Sequence, residues 1–194
     1  MAAIVALRNV ALTGWTDMPM LALIHTVATL PAVFQPLVRQ ALPGWSSFNI
    51  LDESLLQHTI RDGARSNRTK QRLAQYVFSA ADAGADAIVV TCSTLGNAVD
   101  SIASITSVPL FRIDQGMANE AVRKAQRIGV LATLPSTLEP TGTMIRNAAR
   151  PPTGIALLWR NSVTARSADS LPEIRRPMTQ WSSTVSQRWL CRPN

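Results

Sequence analysis

The stretch that most constrains the fold is a short β-branched run at 88–90, Ile-Val-Val, which ends at a group of small polar side chains. The run shows no alternation of polar and apolar residues, which is typical of a parallel strand covered by helices on both faces. Cys92, Ser93 and Thr94 follow it, where the chain turns into a predicted helix. Because parallel sheets bind ligands at the carboxyl ends of their strands, the sequence predicts a site at Cys92. The alternative is a lone cysteine that only fills the core.

Strand-like and helix-like segments alternate through most of the chain. Apolar segments predict further strands at 21–26, 47–51, 108–114 and 128–133. Helical patterns lie between them, and the longest ends at Gly84, a natural helix stop. This alternation predicts an α/β fold in which a parallel sheet is sandwiched by helices.

A weak internal repeat divides this pattern into two lobes. Segment 21–26 ends in threonine and continues through a proline into a helix, and segment 128–133 does the same. The predicted domains are an N-terminal extension at 1–19 that need not be native, a first α/β lobe with Cys92 at 20–126, the start of a second α/β lobe at 127–150, and an irregular basic tail at 151–194.

The tail differs in composition from the rest of the chain. It holds Trp159, Trp181 and Trp189, and a disordered tail is not usually rich in tryptophan. When residues 175–186 are written as codons and reread two bases later, they encode a His-Asp pair ahead of an apolar helix. The aspartate codon does not depend on codon choice, because Met178 followed by Thr179 forces it. We therefore expect a change of reading frame near 150–155, which leaves the second lobe incomplete.

Several phrases within residues 20–150 resemble the aspartate/glutamate (Asp/Glu/hydantoin) racemase superfamily. They are Asp-Glu-Ser-Leu-Leu at 52–56, the strand that ends in Cys92 with hydroxyl residues behind it, and the order of the two lobes. The resemblance implies two pseudo-symmetric lobes with the active site in the cleft between them. It also implies an amino-acid racemase that uses cysteines for proton transfer at the α-carbon, without pyridoxal or another cofactor.

The same resemblance assigns roles to individual residues. Cys92 matches the first catalytic cysteine, which removes the weakly acidic α-hydrogen as a thiolate and returns it as a thiol. The substrate-binding residues implied are Thr26, Ser93, Thr94, Thr133, Ser136 and Thr137. His25 stands where the family often carries an acid, and it either assists Cys92 or is hydrogen-bonded scaffold.

Other polar residues of the pattern receive structural roles. Asp52 and Glu53 suggest acid–base chemistry, but at a helix start they are more often capping groups, and we predict capping. His58 is predicted to be a surface or hinge residue. Cys191 is rejected as the second cysteine because no apolar strand precedes it and no threonine- or glycine-rich turn follows it.

Charge and cysteine usage limit the partners. The net charge is +7, of which +4 comes from the suspect tail, so neither nucleic acid nor membrane is an expected partner. Two cysteines far apart in sequence suit a reducing compartment, and we predict a cytoplasmic protein. With only His25 and His58 as histidines, no metal site is expected. The predicted partner is a small carboxylic or amino acid. The sequence leaves open whether the chain forms a homo-oligomer.

Three functions are compatible with these patterns. The leading one is an aspartate/glutamate-type racemase or isomerase, inactive if truncation has removed its second cysteine. The alternatives are a one-cysteine decarboxylase or isomerase of the same superfamily and a non-catalytic remnant that binds small acids. A fourth function, that of a basic nucleic-acid-binding protein, is supported only by the composition of the tail.

Overall fold

A computed structural model describes residues 18–63 and 65–150, together with the backbone of Ser162–Ser167. The chain divides into two compact units, Met1–Met117 and Ala118–Asn194, which are described separately below.

The first unit is built on one parallel sheet of four strands. The strands are β1 (Met20–His25), β2 (Ser46–Leu51), β3 (Ala87–Val90) and β4 (Leu110–Arg112). Their order across the sheet is β2-β1-β3-β4, and each neighbouring pair is parallel. All four residues of β3 are buried, as the unbroken apolar run predicts.

Helices connect the strands of this sheet or follow its last strand. They are α1 (Leu30–Ala41), α2 (Glu53–Asp62), α3 (Asn67–Asp82) and α4 (Gly96–Ile102), and α5 (Gln115–Lys124) spans the boundary with the second unit. A 3-10 turn, Ser93–Leu95, joins β3 to α4. Gly84 has a φ of 87° just after α3, a left-handed conformation that glycine adopts without a steric cost.

The sheet has an apolar layer on each face. On one face, Ala22 and Ile24 of β1 and Ile88 and Val90 of β3 pack with side chains of α2, α3 and α4. The other face carries Leu21, Leu23, Ala87 and Val89. These side chains pack with Val38 and Ala41 of α1 and with Leu42, the residue after that helix. Successive residues of a strand point to opposite faces, so each strand contributes to both layers.

The second unit contains a pair of parallel strands, β5 (Arg127–Ala132) and β6 (Ser162–Ser167). Helix α6 (Pro135–Ala148) follows β5 and packs against both strands. Val130, Met144 and Ile145 are buried here.

The predicted α/β class is confirmed, and the strands before β6 lie within two residues of their predicted starts. The fourth strand is shorter than predicted, because ladder pairing includes only Leu110–Arg112. A strand at Ser162–Ser167 was not predicted, since the tail was expected to be irregular. Polar and apolar residues alternate from position 162 to position 166, and valine and threonine favour strands. Pairing with β5 makes this segment a strand. Residues 1–17, 151–161 and 168–194, with Cys191, lie outside the described residues.

Within the described ranges, no helix combines the length and the apolar character that crossing a bilayer requires.

Candidate active site

Thr26 and Cys92 both follow strands that are neighbours in the sheet. Ile24 of β1 is paired with Val90 of β3, and the ladder continues because Thr91 N donates to Ile24 O at 3.0 Å. Thr26 and Cys92 each follow two residues after this last pair, so both leave the carboxyl ends of neighbouring strands. The alternation of each strand places both residues on the face that packs against α2, α3 and α4.

Acidic residues follow the two outer strands at the same edge of the sheet. Leu51 of β2 is paired with His25, and Arg112 of β4 is paired with Val90, so Asp52 and Asp114 follow the carboxyl ends of the two outer strands. Backbone bonds extend both ladders, from Asp52 N to His25 O at 3.0 Å and from Ile113 N to Val90 O at 3.1 Å. The carboxyl edge of the sheet therefore carries Asp52, Thr26, Cys92 and Asp114, one after each strand.

Cys92 is a partly exposed free thiol at the end of this ladder. Its backbone is extended, and it caps the 3-10 turn in which Ser93 is half-buried and Thr94 is 3% exposed. Leu95 closes the turn by packing into the core beside Leu55 of α2. A buried apolar anchor thus fixes the turn directly behind the thiol.

Thr26 carries a buried hydroxyl that the described residues leave without a partner. The residue is 2% exposed, and its Oγ1 has no hydrogen-bond partner among those residues. A buried hydroxyl that loses its water without gaining a partner costs about 1–3 kcal/mol, so such a group is suited to bind a ligand.

His25 is turned to the opposite face of the sheet. Its Nδ1 lies 2.8 Å from Thr91 Oγ1 and its Nε2 lies 2.8 Å from Asn49 Oδ1. The ring is fully buried and contacts the ring of Phe34. Burial lowers the pKa of His25, and the hydrogen bond to Asn49 only partly opposes that shift. These contacts support the scaffold alternative, since the structure brings His25 to Thr91 and Asn49 and not to the thiol.

Asp52 is held by α2 and α3. Its side chain accepts a hydrogen bond from Ser54 N at 2.9 Å, which confirms the predicted N-cap. Arg72 Nε and Tyr76 OH of α3 donate to its other oxygen. Burial raises the pKa of Asp52, but these hydrogen bonds outweigh it and hold the pKa at about 2. Asp52 is therefore a fixed carboxylate, which is unsuited to carry a proton in catalysis.

Sequence reasoning missed a buried ion-pair network at the end of β4. Arg112 is 4% exposed, donates to both oxygens of Asp114 at 3.1 Å, and donates to Asp100 of α4 at 3.0 Å. Its guanidinium lies against Gly96, the first residue of α4. The signal in the sequence was an Arg-x-Asp pair at a strand end, because residues two apart share a strand face.

The comparisons with known proteins address this chain's ancestry. Residues 24–153 match the sequence model of the family described as Asp/Glu/Hydantoin racemase. The chain belongs to this racemase family. No curated protein is significantly similar to the chain in sequence.

Among solved structures, glutamate racemase from Aquifex pyrophilus is similar to this racemase-family chain. The TM-score is 0.57 at 20% sequence identity, and the match covers 76% of this chain and 54% of the glutamate racemase. At this identity the likeness shows the fold, a parallel sheet flanked by helices. The chain spans about half of that structure.

The remaining predicted site residues of this racemase-family chain lie in the second unit. Thr133 follows β5 and is exposed, and Ser136 and Thr137 are half-buried in the first turn of α6. Thr137 N donates to Leu134 O at 3.0 Å, which closes that turn. These three hydroxyl residues lie together at the carboxyl end of their own strand, and their relation to Cys92 stays a prediction.

No cluster of three or more histidine, cysteine or acidic residues that could hold a metal ion occurs in the described part of the chain.

Proposed function

We propose that this chain is a pyridoxal-independent amino-acid racemase of the aspartate/glutamate type by ancestry, in which Cys92 transfers the α-proton. The observation that carries the proposal is that one carboxyl edge of a parallel sheet holds both a free thiol, Cys92, and a buried hydroxyl, Thr26, with no partner among the described residues. Ligands of open α/β sheets bind at this edge, and the family match supports the type of reaction.

The chemistry needs a base at the α-carbon and donors at the carboxylate. As a thiolate, Cys92 takes the α-proton, and the electron pair left on carbon spreads into the substrate carboxylate. Hydrogen bonds from Thr26, Ser93 and Thr94 then become stronger as charge builds on the carboxylate oxygens. Returning the proton from the Cys92 thiol restores the substrate on the same face.

Inversion requires a second acid on the opposite face of the α-carbon. In this family that group is a second cysteine, and Cys191 lacks the sequence context of one. We therefore expect the chain to exchange the α-proton of its substrate without inverting the carbon.

The test is hydrogen exchange in D2O with L-aspartate and L-glutamate. Loss of the α-proton signal in NMR spectra, with no D-isomer by chiral chromatography, is the expected result, and Cys92→Ser should abolish the exchange. Formation of D-isomer would mean that a second acid is present. Exchange that persists in Cys92→Ser would remove Cys92 from the mechanism.

A one-cysteine decarboxylase is the second candidate, because Cys92 is the cysteine that the described residues supply. A single thiol suffices to protonate the enediolate left when a malonate-type acid loses carbon dioxide. Release of carbon dioxide from phenylmalonate that depends on Cys92 would favour this reaction. If neither exchange nor decarboxylation occurs and L-aspartate still protects Cys92 from alkylation, the chain is an acid-binding remnant.

The proposed change of frame has its own test. Sequencing the gene across codons 145–194 and translating the neighbouring frame should yield a strand that ends in a second cysteine. A neighbouring frame that closes within a few codons would contradict the proposal. In that case Cys92 acts alone, and the decarboxylase and binding functions gain weight.

A further inference from the structure

Three buried polar side-chain atoms lack a hydrogen-bond partner among the described residues. They are Thr26 Oγ1, Ser54 Oγ and His58 Nδ1. Thr26 leaves the end of β1, and the other two stand on α2, which leaves the end of β2. All three therefore belong to segments at the carboxyl edge that carries Cys92. Buried polar groups are almost always satisfied in native proteins, so a group of three points to a common cause.

Ser54 and His58 share one stripe of α2. They are four residues apart, a spacing that places side chains above one another on the same helix face. Leu55 and Thr59, the next residue after each, are buried against the core. The stripe therefore flanks the buried face of the helix, which explains why polar atoms of two half-buried residues are shielded from water.

The neighbours of α2 show which way this stripe faces. Asp52 is bound by Arg72 and Tyr76 of α3, and Thr59 contacts Thr69 of α3 at 3.4 Å between hydroxyl oxygens. These bonds fix the side of α2 that faces α3. At about 100° per residue, Ser54 and His58 lie about 100° to 160° around the helix from that side. Helix α2 also contacts the turn Ser93–Leu95 behind Cys92, and through Leu55 it packs against the sheet.

We propose that Ser54 and His58 form a substrate-binding wall that faces the Cys92 turn and hydrogen-bonds an accepting group beyond the α-carbon, such as a second carboxylate. This assignment rests on the proposed function, because it takes the α-carbon to lie at the Cys92 thiol. The two buried atoms are not bonded to Cys92 or to any other described residue, so they act on the substrate and leave the thiol to the proton. The pair makes the site selective for acids with a second polar group.

The test uses two alkylating acids on the full-length chain. 2-Bromosuccinate and 2-bromopropionate both offer a carboxylate and a reactive α-carbon, and the Cys92 sulfur displaces bromide from either. Only 2-bromosuccinate has a second carboxylate. The quantity measured is the ratio of the two rates at Cys92, followed by mass spectrometry of the Cys92 peptide and divided by the same ratio for free cysteine.

We expect a ratio above one for the wild-type chain, and a fall of about tenfold in Ser54→Ala or His58→Ala, the effect of losing one hydrogen bond to a charged group. His58→Asn should restore the ratio, because its amide can replace Nδ1. Gln57→Ala, at an exposed neighbour on the same helix, should keep the wild-type ratio and controls for a general effect of substitution in α2. Circular dichroism checks that each variant is folded.

Two results separate the failure of this inference from that of the proposed function. Both acids could alkylate Cys92 faster than free cysteine while the alanine variants keep the wild-type ratio. In that case the assignment of Ser54 and His58 as the wall is wrong, and the acid-binding site at Cys92 is retained. If neither acid reacts with Cys92 faster than with free cysteine, there is no acid-binding site at the thiol, and both proposals fail.

Discussion

The guanidinium of Arg112 lies directly against Gly96, at the point where the turn behind Cys92 becomes helix α4. A β-carbon at residue 96 would overlap the guanidinium carbon and both of its terminal nitrogens. Arg112 has little room to move away, because Asp114 and Asp100 hold it from two sides. The contact therefore ties β4 to the turn that presents the thiol.

Gly96→Ala tests how rigid this contact is. Overpacking of a well-packed site costs about 1–3 kcal/mol, which should exceed the gain of up to ~1 kcal/mol that alanine brings to a helix. We expect a lower urea midpoint and slower alkylation of Cys92. Gly129→Ala is the control, since no described atom lies within 4 Å of the added carbon there, and it should leave stability unchanged or raise it by up to ~1 kcal/mol. Equal stability of the Gly96→Ala and wild-type chains would show that Arg112 can shift.

Arg112→Met should be among the most damaging substitutions in the first unit. It leaves the Asp114 carboxylate, which is 8% exposed, without its cation, and breaking a buried pair in this way costs about 3–5 kcal/mol. Asp100→Asn removes the other partner, which is 48% exposed, and should cost less than about 1 kcal/mol. Urea unfolding of the two variants measures the contrast. Similar losses in both would contradict the assignment of the buried pair as the dominant one.

Acid should destabilise the protein through His25. Burial lowers its pKa in the folded chain, so below the ordinary value of about 6.5 the unfolded chain binds more protons and stability falls. Above that value His25 makes no pH-dependent contribution. Unfolding in urea at about pH 7.5 and about pH 5 should show a smaller difference for His25→Gln than for wild type. A flat wild-type profile would contradict the prediction.

The contribution of Asp52 to stability should depend on pH in a lower range than that of His25. Its folded pKa is about 2, below the unfolded value of about 3.9, so its stabilisation is complete above about pH 4 and is lost as the pH falls to about 2. Asp52→Ala removes both the helix cap and the pair with Arg72, and should cost about 1–2 kcal/mol at neutral pH. Asp52→Asn keeps the cap and should cost less, because Arg72 is 44% exposed. Equal costs would mean that the pair, and not the cap, carries the effect.

The local parts of the site could be predicted because they depend on neighbours in sequence. Ile88, Val89 and Val90 predict a covered strand, and Asp52 ahead of Ser54 predicts the helix cap that the structure contains. The position of Cys92 at a strand end follows from the same run. These features depend on side-chain periodicity and backbone propensity, which can be read directly from the chain.

The roles of His25 and His58 could not be assigned in the same way. Both stand at or beyond strand ends in sequence, yet His25 is bonded to Thr91 and Asn49, whereas Nδ1 of His58 is buried without a partner among the described residues. The difference comes from the neighbours that face each ring, and these neighbours are distant in sequence. Arg112 was missed for the same reason, because a buried arginine is identified by the acids that surround it.

The α/β class, the strand that ends in Cys92 and the family of this chain could all be read from the amino-acid sequence, because each depends on short-range patterns. Which residues share the carboxyl edge became known from the three-dimensional arrangement alone. Parallel strands are joined by long crossovers, so the order of the strands, and with it the sharing of one edge by Asp52, Thr26, Cys92 and Asp114, depends on hydrogen bonds between segments that lie far apart in the chain.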